Sequence, residues 1–421
     1  YLARAMQKVG YMINLSCKQL VVATLILIPS LSFAQVKGDI QVVTNMSSLI
    51  DNGWFNKAVA SFKRKHPAVG KVTIVRTQNF NAEAPALFES RSYGDLTLIP
   101  EHIPKDAYKN YFLPLNDLNI SDKLYFANAW EFDGKHYAYT QGVIAEGLVY
   151  NRAIFKRLNI NPPKTLNEFY QACKLLKQNN IVPIALNAGS GWPLQQWDKA
   201  PMAIASNGDY HATMLEQSQP FTNNSAYYQS FKIVNTIFKN AWSEQHLVGD
   251  KWEDSKVMFV NELLAMYFLG SWLIPQLAQK GAPAQDIGFI PFPFSNDNKV
   301  NGLLNRDWGL AVSRFSKNPD TAKAFLSFIL FESDFADAAG FIPTNMSAQA
   351  KIPQMREYQA AAENMVQAAS PINDFIRLTN MAGIDFMQGG YVRDILISSD
   401  FEQALQYWDR KWSQAKVNLA Q

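Results

Sequence analysis

Cysteine is scarce in this chain, with 2 among 421 residues. Cys17 falls in an amino-terminal segment that we expect to be removed, so Cys173 is left as a single thiol. A single thiol cannot close an internal disulfide, and the fold must therefore be held by its core. Cys173 lies in the helical pattern FYQACKLL with no histidine nearby, which favours a small buried apolar residue over a catalytic thiol.

An excess of either charge is missing as well. Residues 1–34 contain 3 of the 39 lysines and arginines and none of the 36 acidic residues. The remaining chain is balanced, with 36 basic against 36 acidic side chains, so the sequence pI of 8.6 owes much to the first segment. With no net charge and no long basic run, nucleic-acid binding has no electrostatic support.

The usual sequence marks of catalysis and metal binding are absent. There is no G-x-S-x-G turn and no glycine-rich phosphate loop. A secreted glycosidase needs two carboxylates across a cleft, and no spacing selects a pair among Glu101, Glu146, Asp198, Asp307 and Asp385. The histidines are far apart and show no metal-ligand spacing: His66, His102, His136, His211 and His246. We therefore predict a protein that is not an enzyme and uses no metal and no cofactor.

A long apolar run occurs near the start of the chain and nowhere else. The first residue is Tyr, and we predict Met12 as the translation start, followed by the basic Lys18, an apolar run at 20–28 and small residues at a cleavage site. This order is typical of a secretory signal peptide, here residues 1–34. The run is shorter than the about 20 residues of a membrane span. We expect a mature periplasmic protein that is not embedded in the membrane, with an uncleaved anchor as the alternative.

The chain does contain enough apolar and aromatic residues, 48% and 13%, for well-filled cores. The roughly 387 residues after the signal peptide suffice for two domains. Strands predicted at 39–44, 72–76 and 95–99, with a helix at 53–65, indicate parallel βαβ units of an α/β fold. Residues 45–52 are predicted to form a polar loop ahead of that helix.

The stretch 258–276 holds the most informative predicted strand. The apolar run 264–269, closed by Gly270, is typical of a strand covered on both faces. Ser271 and Trp272 then follow the carboxyl end of the strand. In open α/β sheets this edge is where ligands bind.

Two further patterns concern pairing and helix boundaries. The extended segments 135–141 and 146–150 are predicted to pair with each other. A helix is predicted to start at Thr165 and run to about residue 178, since Glu168 three positions later completes a capping box.

Five stretches carry a resemblance when they are taken together. They are EGLVYNRAIFKRLNINPPKTLNEFYQACKLLK (146–177), IVPIALNAGSGWP (181–193), ELLAMYFLGSWLIPQL (262–277), WGLAVSRFSKNPDTAKAFLSFIL (308–330) and GFIPT (340–344). These stretches resemble the extracellular solute-binding proteins of ATP-driven sugar importers, the maltose-binding-like group. They keep that family's order and approximate spacing behind a signal peptide, across most of the mature chain.

The resemblance implies an α/β periplasmic binding protein fold, with two discontinuous lobes, a hinge and a ligand cleft between them. It places the amino-terminal lobe at 36–140 plus 311–341 and the carboxyl-terminal lobe at 141–310 plus 342–421. Gly142 and Gly309 would lie in crossing segments. They either absorb the dihedral change of hinge closure or are ordinary strand ends.

The resemblance also implies a function. The protein would be the periplasmic, monomeric binding component of an ABC transporter, closing on a sugar, with an oligosaccharide favoured, and delivering it to the transmembrane permease subunits. Two alternatives remain open at this point: a ligand-binding partner of a chemoreceptor and, less favoured, a secreted carbohydrate-active enzyme.

Aromatic side chains are candidates for the sugar site, because the C–H face of a sugar ring packs well on an aromatic face. The family places a stacking aromatic after its G-x-W strand, which corresponds to Trp272. Trp192, in a glycine-rich loop, and Trp308, at a crossing, are further candidates. The alternatives are that Trp272 caps the core and that Trp192 only fills its loop.

Polar candidates lie at strand ends and crossings, and they are Asn45, Ser47, Glu101, His102, Gln141 and Asp307. Asp307 either accepts sugar hydroxyls or caps a turn. Arg306, Arg377 and Arg393 are expected to be solvated or structural, and one of them inside the cleft would favour an acidic sugar. Residues 373–388 show no resemblance, so Asp385, Phe386 and Gln388 are weaker candidates for lining the cleft.

Overall fold

The computed structural model describes residues 36–386 and 388–419. The predicted signal peptide, the start at Met12 and Cys17 lie outside the described residues. The strands are β1 (Gly38–Thr44), β2 (Val69–Arg76), β3 (Leu96–Leu98), β4 (Glu131–Phe132), β5 (Lys135–His136), β6 (Tyr139–Thr140), β7 (Val143–Asn151), β8 (Val182–Ala185), β9 (Leu264–Gly270), β10 (Ile287–Ile290), β11 (Asn301–Arg306), β12 (Gly309–Val312) and β13 (Asn364–Gln367).

The helices lie between and after these strands. They are α1 (Ser47–Asp51), α2 (Trp54–Lys65), α3 (Phe80–Glu89), α4 (Arg152–Arg157), α5 (Leu166–Gln178), α6 (Gln196–Ile204), α7 (Tyr210–Glu216), α8 (Ala226–Lys239), α9 (Trp252–Val260), α10 (Leu273–Gln279), α11 (Pro319–Phe331), α12 (Phe335–Ala339), α13 (Gln354–Ala361), α14 (Asn373–Ala382), α15 (Gly390–Ile397) and α16 (Phe401–Leu419). Among the described residues, no helix combines the length and apolarity needed to cross a bilayer.

The first sheet has the strand order β2-β1-β3-β12-β6. β1 runs parallel to β2 and β3, which confirms the predicted βαβ arrangement, and β12 is antiparallel to β3 and β6. Helices α2 and α11 share one apolar cluster with this sheet, and Phe62 contacts Phe325 there with ring centroids 5.0 Å apart. We call this sheet and its helices the first lobe.

The second sheet has the order β13-β11-β7-β9-β8, with β10 also paired to β7. β7 and β9 are buried along their whole length, which confirms the predicted buried strand at 264–269. Strand side chains alternate between faces, so Phe268 enters one apolar cluster and Tyr267 another. The sheet is therefore covered on both faces. We call it, with its helices, the second lobe.

Within residues 36–386 the chain passes between the two sheets at three places. It leaves the first sheet after β6 and enters the second with β7, then returns between β11 and β12. The third passage follows α12, where Ile342 pairs with Val143 at the start of β7. Each sheet is thus built from separate parts of the chain, which gives the two-lobed α/β architecture.

The predicted pairing of residues 135–141 with 146–150 is wrong. β5 pairs with β4 and β6 pairs with β12, whereas β7 pairs with β9, β10 and β11 in the other sheet. The two segments are close in sequence but are separated by a passage between the lobes, so a local hairpin does not form.

Residues 45–52, predicted as a loop, contain the short helix α1. The hydroxyl of Thr44 accepts a hydrogen bond from the backbone N–H of Met46 at 3.1 Å and fixes the turn that leads into it. Leu49, 1% exposed, anchors the helix to the core of the first lobe. The prediction missed α1 because the polar residues around Leu49 conceal a single-turn helix.

The predicted capping box of α5 forms, except that the Glu168 carboxylate binds the N–H of the residue before the N-cap. Thr165 Oγ1 accepts from the backbone N–H of Glu168 at 3.2 Å, while the Glu168 carboxylate accepts from the N–H of Lys164 at 2.7 Å rather than from that of Thr165. Cys173 on the same helix is fully buried, as predicted, and burial raises the pKa of its thiol.

Gly142 and Gly309 are both required by close packing at the crossings. A Cβ atom would lie 2.2 Å from the ring of Phe341 at Gly142, and 2.7 Å from the ring of Trp130 at Gly309. Any larger residue would displace an aromatic ring in the first lobe. Their participation in hinge motion stays a prediction.

Candidate ligand-binding site

The carboxyl end of β9 meets the middle of β7 at the proposed site. Gly270 lies opposite Glu146 in the antiparallel pair. A Cβ atom at Gly270 would lie 2.3 Å from the indole nitrogen of Trp272, so glycine lets the indole fold back over the strand end. Trp272 thereby contacts apolar residues of both lobes while remaining partly exposed.

Three tryptophans form an aromatic cluster at this strand end. The ring centroids of Trp192 and Trp252 are 5.0 Å apart, those of Trp192 and Trp272 are 5.7 Å apart, and those of Trp252 and Trp272 are 5.8 Å apart. All three are only partly buried. The structure brings together the two predicted residues and adds Trp252, which sequence reasoning missed because it begins α9 and follows no strand.

A polar cluster lies at the crossings. Gln141 is 2% exposed, and its side-chain amide donates to a carboxylate oxygen of Asp307 and, at 3.5 Å, to the amide oxygen of Asn45. These residues come from three separate parts of the chain. Burial raises the pKa of Asp307 to about 6, although the hydrogen bond from Gln141 acts in the opposite direction.

Glu101 and Arg306 form an ion pair across the lobes. Arg306 Nη1 and Nη2 donate to the two carboxylate oxygens of Glu101 at 2.8 and 2.9 Å, and Arg306 Nε donates to Ser370 Oγ at 3.1 Å. The guanidinium also lies 4.3 Å from the ring centroid of Trp130. Desolvation alone would raise the pKa of Glu101, but the charge and hydrogen bonds of Arg306, together with the charges of Lys199 and Lys105, outweigh it and the pKa is lowered.

A second buried ion pair joins β7 to α6. Lys199 Nζ donates to Glu146 Oε1 at 2.7 Å, and Gln196 donates to the other carboxylate oxygen. The side chain of Glu146 is 0% exposed. The charge of Lys199 opposes the burial that raises the pKa of Asp307 and helps to lower the pKa of Glu101, so these charged groups share one region. Sequence reasoning had no signal for Lys199.

A small pocket of about 40 Å³ opens beside the Glu101–Arg306 pair. Glu101 and His102 contribute from the first lobe, and burial lowers the pKa of His102. The second lobe contributes α14 and the segment after it, including the weaker candidates Asp385, Phe386 and Gln388. The pocket therefore spans both lobes.

The rim of this pocket is closed by contacts between α14 and the first lobe. Asn373 Oδ1 accepts from the backbone N–H of Lys105 at 2.8 Å, and Asn380 donates to the carbonyl of His102 at 2.9 Å. Arg377 forms an ion pair with Asp106. Arg377 is thus an exposed side chain that also makes an interlobe contact, within the prediction of a solvated or structural role.

His211 lies behind the pocket wall. It is 1% exposed and packs against Phe375 and Phe386, with ring centroids 4.6 and 5.0 Å away. Neither ring nitrogen has a hydrogen-bond partner among the described residues, and burial lowers the pKa to about 3.

Two predicted residues are less closely tied to these clusters. The ring of Trp308 packs edge-on against Phe80 at 5.4 Å and against the core of the first lobe, so it is partly committed to packing. Ser47 begins α1, and its backbone N–H bonds the carbonyl of Asn45 at 2.9 Å. A ligand role for each predicted residue stays a prediction.

The chain is similar to known proteins in both sequence and fold. The family model described as "Bacterial extracellular solute-binding protein" matches residues 47–334, and the chain belongs to that family. A binding protein of an ABC transporter from Bifidobacterium animalis subsp. lactis, solved with mannobiose, superposes with a TM-score of 0.82 at 22% identity, over 91% of this chain and 96% of that one. The predicted fold class is confirmed.

Two curated relatives are similar in sequence. The multiple sugar-binding protein of Streptococcus mutans is 22% identical over 65% of this chain and 67% of its own length. The melibiose/raffinose/stachyose-binding protein MelE of Bacillus subtilis is 24% identical over 70% of each chain.

Proposed function

We propose that this protein is the periplasmic substrate-binding component of an ABC transporter, which holds an oligosaccharide between its lobes and presents it to the transmembrane permease. The observation that carries the proposal is the cluster of Trp192, Trp252 and Trp272 at the end of β9, beside the polar cluster at the crossings. The names of the relatives and structural neighbours, which bind several oligosaccharides, support the same class of ligand.

The two clusters divide the recognition of a sugar between them. Indole faces cover the C–H surfaces of sugar rings, and carboxylate and amide groups pair with hydroxyls. A hydroxyl of the wrong stereochemistry would leave a polar group unpaired, at a cost of about 1 to 3 kcal/mol. The proposed contacts are those predicted from the sequence, together with Trp252.

The separation of the proposed contact groups favours a ligand of more than one sugar ring. The tryptophan cluster sits at the end of β9 in the second lobe, whereas the small pocket of about 40 Å³ lies beside Glu101 and α14. A ligand of several rings can use both places, while a monosaccharide can use one. We therefore propose an oligosaccharide of at least two rings.

Closure of the lobes would be the signal that the permease reads. We propose lobes at 36–140 plus 311–341 and at 141–310 plus 342–421, which rotate about the crossings. Contacts between α14 and the loop after β3 exist only when the lobes are close, and ligand bridging the cleft would add to them. The protein acts as a monomer after removal of its signal peptide, without catalysis.

The test is a thermal-shift screen of residues 35–421 against neutral oligosaccharides, monosaccharides, uronates, polyols and sugar phosphates. A ligand at 100 times its dissociation constant adds about 2.7 kcal/mol to the folded state, which is visible as a raised midpoint. An oligosaccharide that raises the midpoint and is recovered intact supports the proposal. Silence across the panel would refute the sugar assignment, and consumption of the sugar would indicate an enzyme.

A further inference from the structure

The Glu101–Arg306 pair carries an inference about which sugars the site accepts. Arginine is the side chain best suited to hold a carboxylate, because its planar fork matches the two oxygens. An arginine in the cleft of a sugar-binding protein would therefore attract an acidic sugar. In this protein both terminal nitrogens of Arg306 already donate to one carboxylate, at 2.8 and 2.9 Å.

That carboxylate comes from the opposite side of the cleft. Glu101 follows β3 in the first lobe and lines the pocket, whereas Arg306 ends β11 in the second lobe. The side chains are 21% and 11% exposed, so the pair is largely withdrawn from water yet borders the space open to a ligand. Glu101 thus occupies the place that the carboxylate of an acidic sugar would take.

The rest of Arg306 is also engaged. Its Nε donates to Ser370 at 3.1 Å, and its plane lies over Trp130 at 4.3 Å. These contacts fix the fork in the direction of Glu101. A ligand carboxylate could bind Arg306 only by displacing Glu101, which would leave that carboxylate without its partner in a poorly hydrated place.

The neighbouring charges are balanced in the same way. Lys199 is held by Glu146 at 2.7 Å. Lys105 lies near Arg306, Glu101 and Glu131. Burial and the charge of Arg306 lower the pKa of Lys105, whereas the carboxylates of Glu101 and Glu131 act to raise it. Asp307 adds a further acidic group to the region. The region thus offers an incoming anion no surplus of positive charge.

We infer that Glu101 is a specificity-determining residue that reserves the site for uncharged sugars and excludes those carrying a carboxylate. The inference rests on the proposed function, since it names the charge class of the ligand that the same cleft takes. It reverses the sequence-based expectation that an arginine in the cleft would favour an acidic sugar.

The experiment uses matched ligands and matched variants. Isothermal titration calorimetry would compare three pairs of trisaccharides that differ only in a hydroxymethyl or a carboxylate at C6: mannotriose with trimannuronate, α-1,4-galactotriose with trigalacturonate, and cellotriose with triglucuronate. The variant Glu101→Gln keeps the shape and removes the charge. Glu262→Gln is the control, because Glu262 pairs with Arg157 in an exposed ion pair before the opposite end of β9.

The wild type should bind at least one neutral trisaccharide, and its acidic partner at least about tenfold more weakly. Glu101→Gln should gain at least about tenfold in affinity for the acidic partner, because the fork of Arg306 becomes free for it. Glu262→Gln should match the wild type.

Three results would overturn the inference. The first is a wild type that binds an acidic member as tightly as its neutral partner, which leaves the proposed function intact. The second is a folded Glu101→Gln that gains nothing for acidic ligands. The third is a wild type that binds none of the six sugars, and only silence across the thermal-shift panel as well would overturn the proposed function too. If Glu101→Gln does not fold, the wild-type comparison decides alone.

Discussion

Truncation of Trp272 tests the tryptophan cluster directly. The indole contacts Trp192 and Trp252, and packs against apolar residues of both lobes, with part of its surface left open. Trp272→Ala removes the open face that we assign to a sugar ring. It also removes support for the other two indoles, so their orientation toward the ligand is weakened.

The size of the effect follows from the area of that face. A tryptophan buries 150–250 Å² when fully covered, so one face corresponds to roughly 60 Å², and at about 25 cal/mol per Å² its loss costs about 1.5 kcal/mol. This equals a loss of about tenfold in affinity. Loss of support for the neighbouring rings can only add to that value.

The assay is calorimetric titration with the sugar identified in the thermal-shift screen. Trp242→Ala is the control, since Trp242 is also partly buried but packs on Tyr170 at 5.4 Å, within the second lobe. Circular dichroism would show that both variants are folded. Affinity within about twofold of the wild type in a folded Trp272→Ala variant would refute the stacking role. An equal loss in Trp242→Ala would show that the effect is not local.

The remaining predictions concern charge and closure. In the wild type, sugar affinity should fall as the pH drops through about 6, because the Asp307 carboxylate takes up a proton and loses a charge-assisted bond to ligand. Asp307→Asn should show no such fall, and an identical pH profile of the two proteins in calorimetry would contradict this. The pKa of His211 falls from 6.5 to about 3 on folding, so between these values only the unfolded chain binds the proton and the wild type loses stability as the pH falls from 6.5 toward 3. In His211→Leu, the free energy of unfolding measured in urea should depend less on pH over this range. Arg377→Ala should raise the radius of gyration of the ligand-free protein in X-ray scattering, because it removes the ion pair with Asp106 between the lobes; unchanged scattering would exclude that contact as a determinant of closure.

Much of the fold was readable from local patterns. The apolar run ending in Gly270 predicted β9 and the position of Trp272 after it, because a strand covered on both faces must be apolar throughout. Thr165 predicted the start of α5 because a hydroxyl can satisfy a free N–H within three residues. Such signals depend on neighbours in sequence.

The sequence-based predictions were wrong or incomplete where the structure depends on contacts between residues that are far apart in the chain. Glu101 and Arg306 are 205 positions apart, and Glu146 and Lys199 are 53 apart, so nothing in the local sequence pairs them. The false hairpin between 135–141 and 146–150 has the same origin, since its strands are claimed by partners elsewhere in the chain. Trp252 was missed because helix starts carry no signal for a cleft.

The strand order of the first sheet determines when during synthesis this sheet can be completed. β12 lies between β3 and β6, so this sheet stays in two pieces until residue 312 has been synthesised, although β1, β2, β3 and β6 all precede residue 141. Contacts between such distant segments form slowly. The interleaved topology that builds the cleft therefore also postpones its formation until most of the chain has been synthesised.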